Sequence, residues 1–229
     1  MTSGPYIIGI SGRIGSGKNY LASKLADVYH ERGFKTAEVS YGMPLKNEAT
    51  KLMEEFRDYP FSFDEISDKY SIDANDLNTL YELIFNDMKH FPLLTGWDRS
   101  EGVRRFLQYL GTDIRRKQND NYWVDQIQDF FPADVDYIFI TDARFPNEAD
   151  KVLDLDGALI RIDVSDEVIL KRSSSRDGLK YSQEALNHKS EHALDDYTKF
   201  ELIIGETFDP KNLVDDFIEI KRQHVQNNA

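Results

Sequence analysis

Residues 9–19 read GISGRIGSGKN, and within them Gly12 through Lys18 satisfy the spacing G-x-x-x-x-G-K. A loop of this kind, between a strand and a helix, turns consecutive backbone N–H groups and a helix N-terminus towards phosphate oxygens. Gly12, Gly15 and Gly17 allow close backbone approach, and Arg13 and Ser16 complete the loop. Lys18 supplies a point charge for the β- and γ-phosphates. The next position, where Ser or Thr would offer a hydroxyl to magnesium, is Asn19. Its amide oxygen is a neutral ligand, whereas magnesium prefers harder anionic ones. A carboxylate should therefore take the larger share, and Asp142, at the end of the run YIFITD, stands where a Walker-B aspartate would. The expectation is a nucleoside triphosphate site whose metal shell rests on Asp142, Asn19 and water. The plainer alternative is a glycine turn of structural use only.

Three further stretches carry polar groups in useful spacing. In RRFLQYLGTDIRRKQNDNYWVDQI, residues 104–127, Arg104 and Gln108 fall one helical turn apart. That pair would set a phosphate clamp beside an amide able to read a base edge. Gly111 and Thr112 should end or bend the helix, and Arg116 and Trp123 follow. The competing reading is an amphipathic helix with a solvated basic face. In ITDARFPNEAD, Arg144 stands two residues past Asp142, close enough to share a substrate with it. In the segment from residue 170 onward, Arg172 and Arg176 are one turn apart and suited to closing over phosphates. His188 and His192 share the i, i+4 spacing of a zinc helix, but no third ligand pattern accompanies them, and a capping or packing role is preferred.

The elements that must position these groups follow from apolar periodicity. Short apolar runs at 6–11, 36–41, 136–142, 158–164 and 200–205 read as buried parallel strands separated by helical patterns, an α/β arrangement. An antiparallel α+β domain is the lesser alternative. Residues 45–132 and 171–197 exceed a minimal strand–helix rhythm and read as insertions at strand carboxyl ends, where open α/β sheets bind ligands. Residues 213–225 read as a closing amphipathic helix.

With 229 residues, 40% hydrophobic and 12% aromatic, one packed core is expected. A formal net charge of −13 disfavours nucleic acid and membrane surfaces as partners. Cysteine is absent, which excludes disulfides and thiolate zinc. No apolar run approaches the ~18–20 residues of a membrane helix, and the N-terminus lacks signal-peptide character. A cytoplasmic location is expected.

Taken with YGMPLK and HKSEHALDD, these motifs run in order from about residue 7 to 205. In this the sequence resembles the deoxynucleoside monophosphate kinases of large bacteriophages, P-loop kinases related in architecture to adenylate and thymidylate kinases. The resemblance implies a five-stranded parallel core (1–44, 133–170 and 198–229), an NMP-binding insertion (45–132) and a lid (171–197). It implies transfer of the ATP γ-phosphate to a dNMP with Mg2+, for DNA precursor supply, in the host cytoplasm if the gene is a phage's. Gly12, Arg13, Gly15, Ser16, Gly17, Lys18 and Asn19 would hold ATP. Lys46, Arg104, Gln108, Arg116, Trp123 and Arg144 would hold the monophosphate, and Arg172 and Arg176 would serve as lid arginines. Kinases of this kind are often dimers, so the resemblance leaves a homodimer open alongside a monomer. Asn19 departs from the family, which often carries an acidic residue there. The rivals are a dephospho-coenzyme A or phosphomevalonate type of kinase, a regulatory nucleotide-binding ATPase, and a non-catalytic interaction domain.

Overall fold

The computed structural model describes residues 4–57, 62–88, 101–176, 186–187 and 189–227. The chain divides into two compact units, one of residues 1–41 with 129–229 and the other of residues 42–128.

The first unit is built on a five-stranded parallel sheet in the order β2-β3-β1-β4-β5. The strands are β1 (Tyr6–Gly12), β2 (Thr36–Val39), β3 (Tyr137–Ala143), β4 (Ala158–Ile162) and β5 (Leu202–Ile204). Ile8, Ile10, Phe139 and Ile160 have no solvent exposure, as expected of β-branched and aromatic residues in a sheet covered on both faces. Because side chains alternate along a strand, Ile8 and Ile10 meet one helical layer while Gly9 faces the other. The first layer is α1 (Lys18–Glu31), which buries Leu21, Leu25 and Tyr29, with the C-terminal helix Pro210–Asn227 contributing Val214 and Phe217. The second is the helix Pro146–Asp154 (α7), whose Val152 leaves no room for a side chain at position 9: a Cβ there would lie 2.9 Å from it. Each fully buried apolar side chain contributes roughly 1.5–3 kcal/mol.

Three strands are shorter than the sequence predicts, β4 among them, which ends at Ile162 rather than at residue 164. β2 stops at Val39 because the backbone turns so that the Tyr41 N–H reaches Asp142. β5 is a three-residue edge strand with Ile203 64% exposed, and a short edge limits unwanted pairing.

The second unit is helical. It contains α2 (Gly42–Arg57), α3 (Phe63–Tyr70), α4 (Ala74–Met88), α5 (Glu101–Gln108) and the short α6 (Tyr122–Asp125). Leu52, Phe56, Leu77, Leu80, Phe106 and Leu110 close its core. Gly111 is expected with Thr112 to end or bend the helix; α5 gives way at Gln108, before either residue. The chain instead widens into a π-helix over Tyr109–Arg116, and Gly111 packs against α2, where a Cβ would come within 3.0 Å of Leu45. Close approach is the reason for that glycine.

Candidate active site

The parallel pairing of β1 with β3 sets Ser11 opposite Ala143, so the glycine loop and the Asp142–Arg144 corner leave the sheet side by side. Gly12 and Gly17 have φ of 152° and 106°, and a Cβ on Gly12 would stand 2.7 Å from Ser16 Oγ and 2.9 Å from the Ile162 carbonyl. Gly17 is the N-cap of α1 and no side chain caps the helix, so its amino end presents backbone donors and the positive end of the helix dipole. Ser16 Oγ is buried without a hydrogen-bond partner among the described residues. An uncapped helix start and an orphan hydroxyl fit a phosphate-binding cradle.

Lys18 is 8% exposed. Its Nζ donates to the carbonyls of Gly12 at 2.6 Å and Arg13 at 3.0 Å. Burial, reinforced by the Arg144 cation, brings its pKa down to about 8, with Glu191 and Asp142 pulling the other way. Among the described residues this buried cation is held by neutral carbonyls, which suits it to receiving an anion.

The other predicted groups of this unit take distinct places. Asp142 Oδ1 accepts the Tyr41 N–H at 2.7 Å, which fixes its rotamer at the end of β3. Asn19 is exposed in the first turn of α1. Arg144 pairs with Glu191 through Nη1 at 2.6 Å. Arg172, on the helix Asp166–Arg176 (α8), donates to the Ser16 carbonyl at 2.7 Å, so one of the two lid candidates reaches the glycine loop. The Arg176 side chain lies outside the described residues, as does His188. Arg13 is a brace: its guanidinium donates to the Val164 carbonyl at 2.8 Å and pairs with Asp166 at 2.6 Å, tying the loop to the start of α8. Its backbone belongs to the cradle, while its side chain is committed elsewhere. His192 bonds to Asp195 and to the Leu186 carbonyl, a packing role.

In the helical unit, Arg104 and Gln108 both lie exposed on α5, and Lys46 is exposed on α2. Arg116 is partly buried, with Asp120 at 3.8 Å. Trp123 was expected at the ligand, but it is 2% exposed and its Nε1 donates to the Gly111 carbonyl at 3.1 Å. Its polar atom satisfies a π-helix carbonyl inside the unit, so the ring is a packing element there.

Two acidic residues escaped sequence reasoning. Glu148 is 3% exposed and accepts the N–H groups of Arg144 at 2.8 Å and Phe145 at 3.2 Å, which holds the corner before Pro146. Its signal was present as an x-P-x-E helix start, with Pro at the first helical position and Glu two residues on. Glu191 lies within HKSEHALDD, but nothing local gave it a role, because its partners Ile14 and Arg144 are remote in sequence.

Among the described residues no group of three or more His, Cys, Asp or Glu could enclose a metal ion. One carboxylate and one amide suit magnesium, which keeps several waters and takes phosphate oxygens as ligands.

Among solved structures, the chain is similar to a gluconokinase from Sinorhizobium meliloti 1021, with 14% identity over 97% of this chain and 95% of that one and a TM-score of 0.46. A shikimate kinase from Aquifex aeolicus vf5 is 15% identical over 96% and 98% of the two chains, with a TM-score of 0.41. A dephospho-CoA kinase from Campylobacter jejuni is 17% identical over 97% and 98%, with a TM-score of 0.35. No curated protein sequence matches the chain. The family profile described as deoxynucleotide monophosphate kinase matches residues 40–199. That match runs from the end of β2 through the π-helix and the Asp142–Arg144 corner to the segment carrying Glu191, and the chain accordingly belongs to the deoxynucleotide monophosphate kinase family, whose members are ATP-dependent phosphotransferases.

Proposed function

We propose that this protein transfers the γ-phosphate of ATP to a deoxynucleoside monophosphate, giving dNDP and ADP. The observation that carries the reading is Lys18: a buried cation on loop carbonyls, with Arg172 on the same loop. Phosphoryl transfer asks the protein for positioning and charge neutralisation rather than for a nucleophile. The backbone donors from Gly15 to Asn19 would hold the β- and γ-phosphates of ATP. Lys18 would exchange its carbonyl partners for phosphate oxygens, keeping its proton there because an anion restores what burial removes. Arg172, already at Ser16, would neutralise charge on the transferring group. Asp142, and to a smaller extent Asn19, would hold magnesium directly or through water. When bound, magnesium would supply Lewis-acid charge that offsets the negative charge of the phosphates.

For the acceptor, Arg104 would bind the phosphate of the dNMP and Gln108 its base, with Arg116 and Lys46 as further contacts. Arg144 would be the phosphate-binding arginine of the sheet unit. Trp123 would act from within, by holding the Gly111 carbonyl. The four dNMPs, dUMP, the four NMPs, dephospho-coenzyme A and phosphomevalonate should be compared in one coupled ADP-release assay. ADP release dependent on one or more dNMPs is expected. Release only with a non-nucleotide acceptor, or equal release with no acceptor, would sink the proposal.

A further inference from the structure

Glu191 is a buried carboxylate that none of the roles above uses. It is 7% exposed, on the short helix Lys189–His192 (α9). Its two oxygens have different partners: Oε2 accepts the Ile14 N–H at 2.5 Å, and Oε1 accepts Arg144 Nη1 at 2.6 Å. One carboxylate thus joins the turn of the phosphate loop to the arginine that follows β3. Taking a carboxylate out of water is costly, and a neutral acceptor would satisfy the Ile14 N–H equally well. The charge is needed only for the arginine and for the buried Lys18 nearby.

The geometry of Arg144 points the same way. Its side chain is 37% exposed while that of Glu191 is 4% exposed, so the carboxylate grips the guanidinium from the buried side. A guanidinium carries five donors in a rigid fork, and an edge held by a carboxylate fixes the direction of the rest. Fixing a charged group before the ligand arrives removes the ordering entropy that binding would otherwise incur.

We propose that Glu191 is a positioning residue for phosphoryl transfer: it locks the Ile14 turn of the phosphate loop and aims the Arg144 guanidinium beside it. This rests on the reading of Lys18 and Arg144 as phosphate-binding groups. It predicts that Glu191 works through Arg144, whereas a stand-in anion occupying the place of a phosphate would compete with nucleotide.

The test is Glu191→Gln, alone and combined with Arg144→Ala. The amide keeps an acceptor for the Ile14 N–H and removes the charge facing Arg144. Expected results are ADP affinity by calorimetry within about threefold of wild type, and kcat/KM for the dNMP lowered about tenfold or more, the scale of one lost charge-assisted contact. Arg144→Ala should lower kcat/KM by about tenfold or more in the wild-type background, but by less than about threefold once Glu191 is Gln, because both changes disable one device. Glu191→Asp, which keeps the charge but shortens its reach, should show the same non-additivity and serves if the Gln protein is poorly folded. Fully additive losses, wild-type kinetics in Glu191→Gln, or ADP binding tightened tenfold would each overturn the inference. Lys18→Ala is measured in parallel. If it is inactive while Glu191→Gln is normal, only the role of Glu191 falls, whereas an active Lys18→Ala removes the phosphoryl-transfer reading beneath it.

Discussion

Arg115 in the helical unit and Lys18 in the sheet unit are both buried cations, and their surroundings differ in kind. Arg115 is 3% exposed, and protein groups surround its guanidinium. Nε donates to Glu48 at 2.7 Å, Nη2 to the Tyr70 carbonyl at 2.6 Å, and Nη1 to Gln118 at 3.2 Å, while the plane stacks on Tyr122 at 4.9 Å. Glu48 also accepts the Tyr122 hydroxyl at 2.9 Å, so the carboxylate is shared as fully as the arginine. Lys18 has two backbone carbonyls and no carboxylate in hydrogen-bonding contact among the described residues. Burial and Arg144 push its pKa down to about 8. A saturated buried ion pair fastens helices together, whereas an under-neutralised buried cation is poised for a ligand.

The comparison breaks most directly if the two cations are exchanged in the experiment. Arg115→Ala strands Glu48 in the interior and should destabilise the helical unit by about 3–5 kcal/mol. Thermal unfolding should show this as a large fall in Tm or the loss of a cooperative transition. Lys18→Ala should leave Tm unchanged or slightly raised, since a disfavoured charge is removed, yet lower kcat by about two to three decades. If Lys18→Ala unfolds the protein while Arg115→Ala loses only activity, the assignment of one cation to structure and one to chemistry is reversed.

That contrast also marks what the sequence could carry. The loop from Gly12 to Lys18, the approximate places of the five strands and the shared helix face of Arg104 and Gln108 were legible because each depends on local spacing that periodicity reveals. Arg115, Arg116 and Lys117 are adjacent in sequence, and nothing local says that Arg115 turns inward to Glu48 while Lys117 remains exposed. The same holds for Trp123, whose place was decided by a carbonyl of the π-helix twelve residues earlier. The insertion of β3 between β2 and β1 is likewise a pairing choice made across remote parts of the chain. It is this choice that brings Asp142 beside the glycine loop. Glu191 belongs with these cases, since one of its partners is 177 residues away.

A smaller effect sharpens the metal assignment. Asp142→Asn should lower kcat at saturating magnesium by about one to two decades, in keeping with roughly 1.5–3 kcal/mol for a contact to a charged group. The Tyr41 N–H can still bond to the amide oxygen, so the corner should keep its shape. Asn19→Ala removes a neutral, exposed group and should stay within about one decade of wild type. A larger loss from Asn19→Ala would put the metal on α1 rather than at the end of β3.

The smallest expected effect separates two neighbours on α5. Arg104 and Gln108 share its exposed face, yet they are assigned to different parts of the acceptor. Every dNMP carries the same phosphate, so Arg104→Ala should raise KM for all of them by similar factors, about one to two decades for a charge-assisted contact. Gln108 has an amide that both donates and accepts, and the edges of the bases differ in where they offer donors and acceptors. A neutral hydrogen bond contributes about 0.5–1.5 kcal/mol, so Gln108→Ala should change KM by less than about one decade for the bases it pairs with and leave the others unaltered. ATP's own KM should barely move in either variant, because its phosphates are assigned to the glycine loop. An equal change for every base on removing Gln108, or a base-dependent change on removing Arg104, would exchange the two roles. A rise confined to ATP would move the acceptor off α5 altogether.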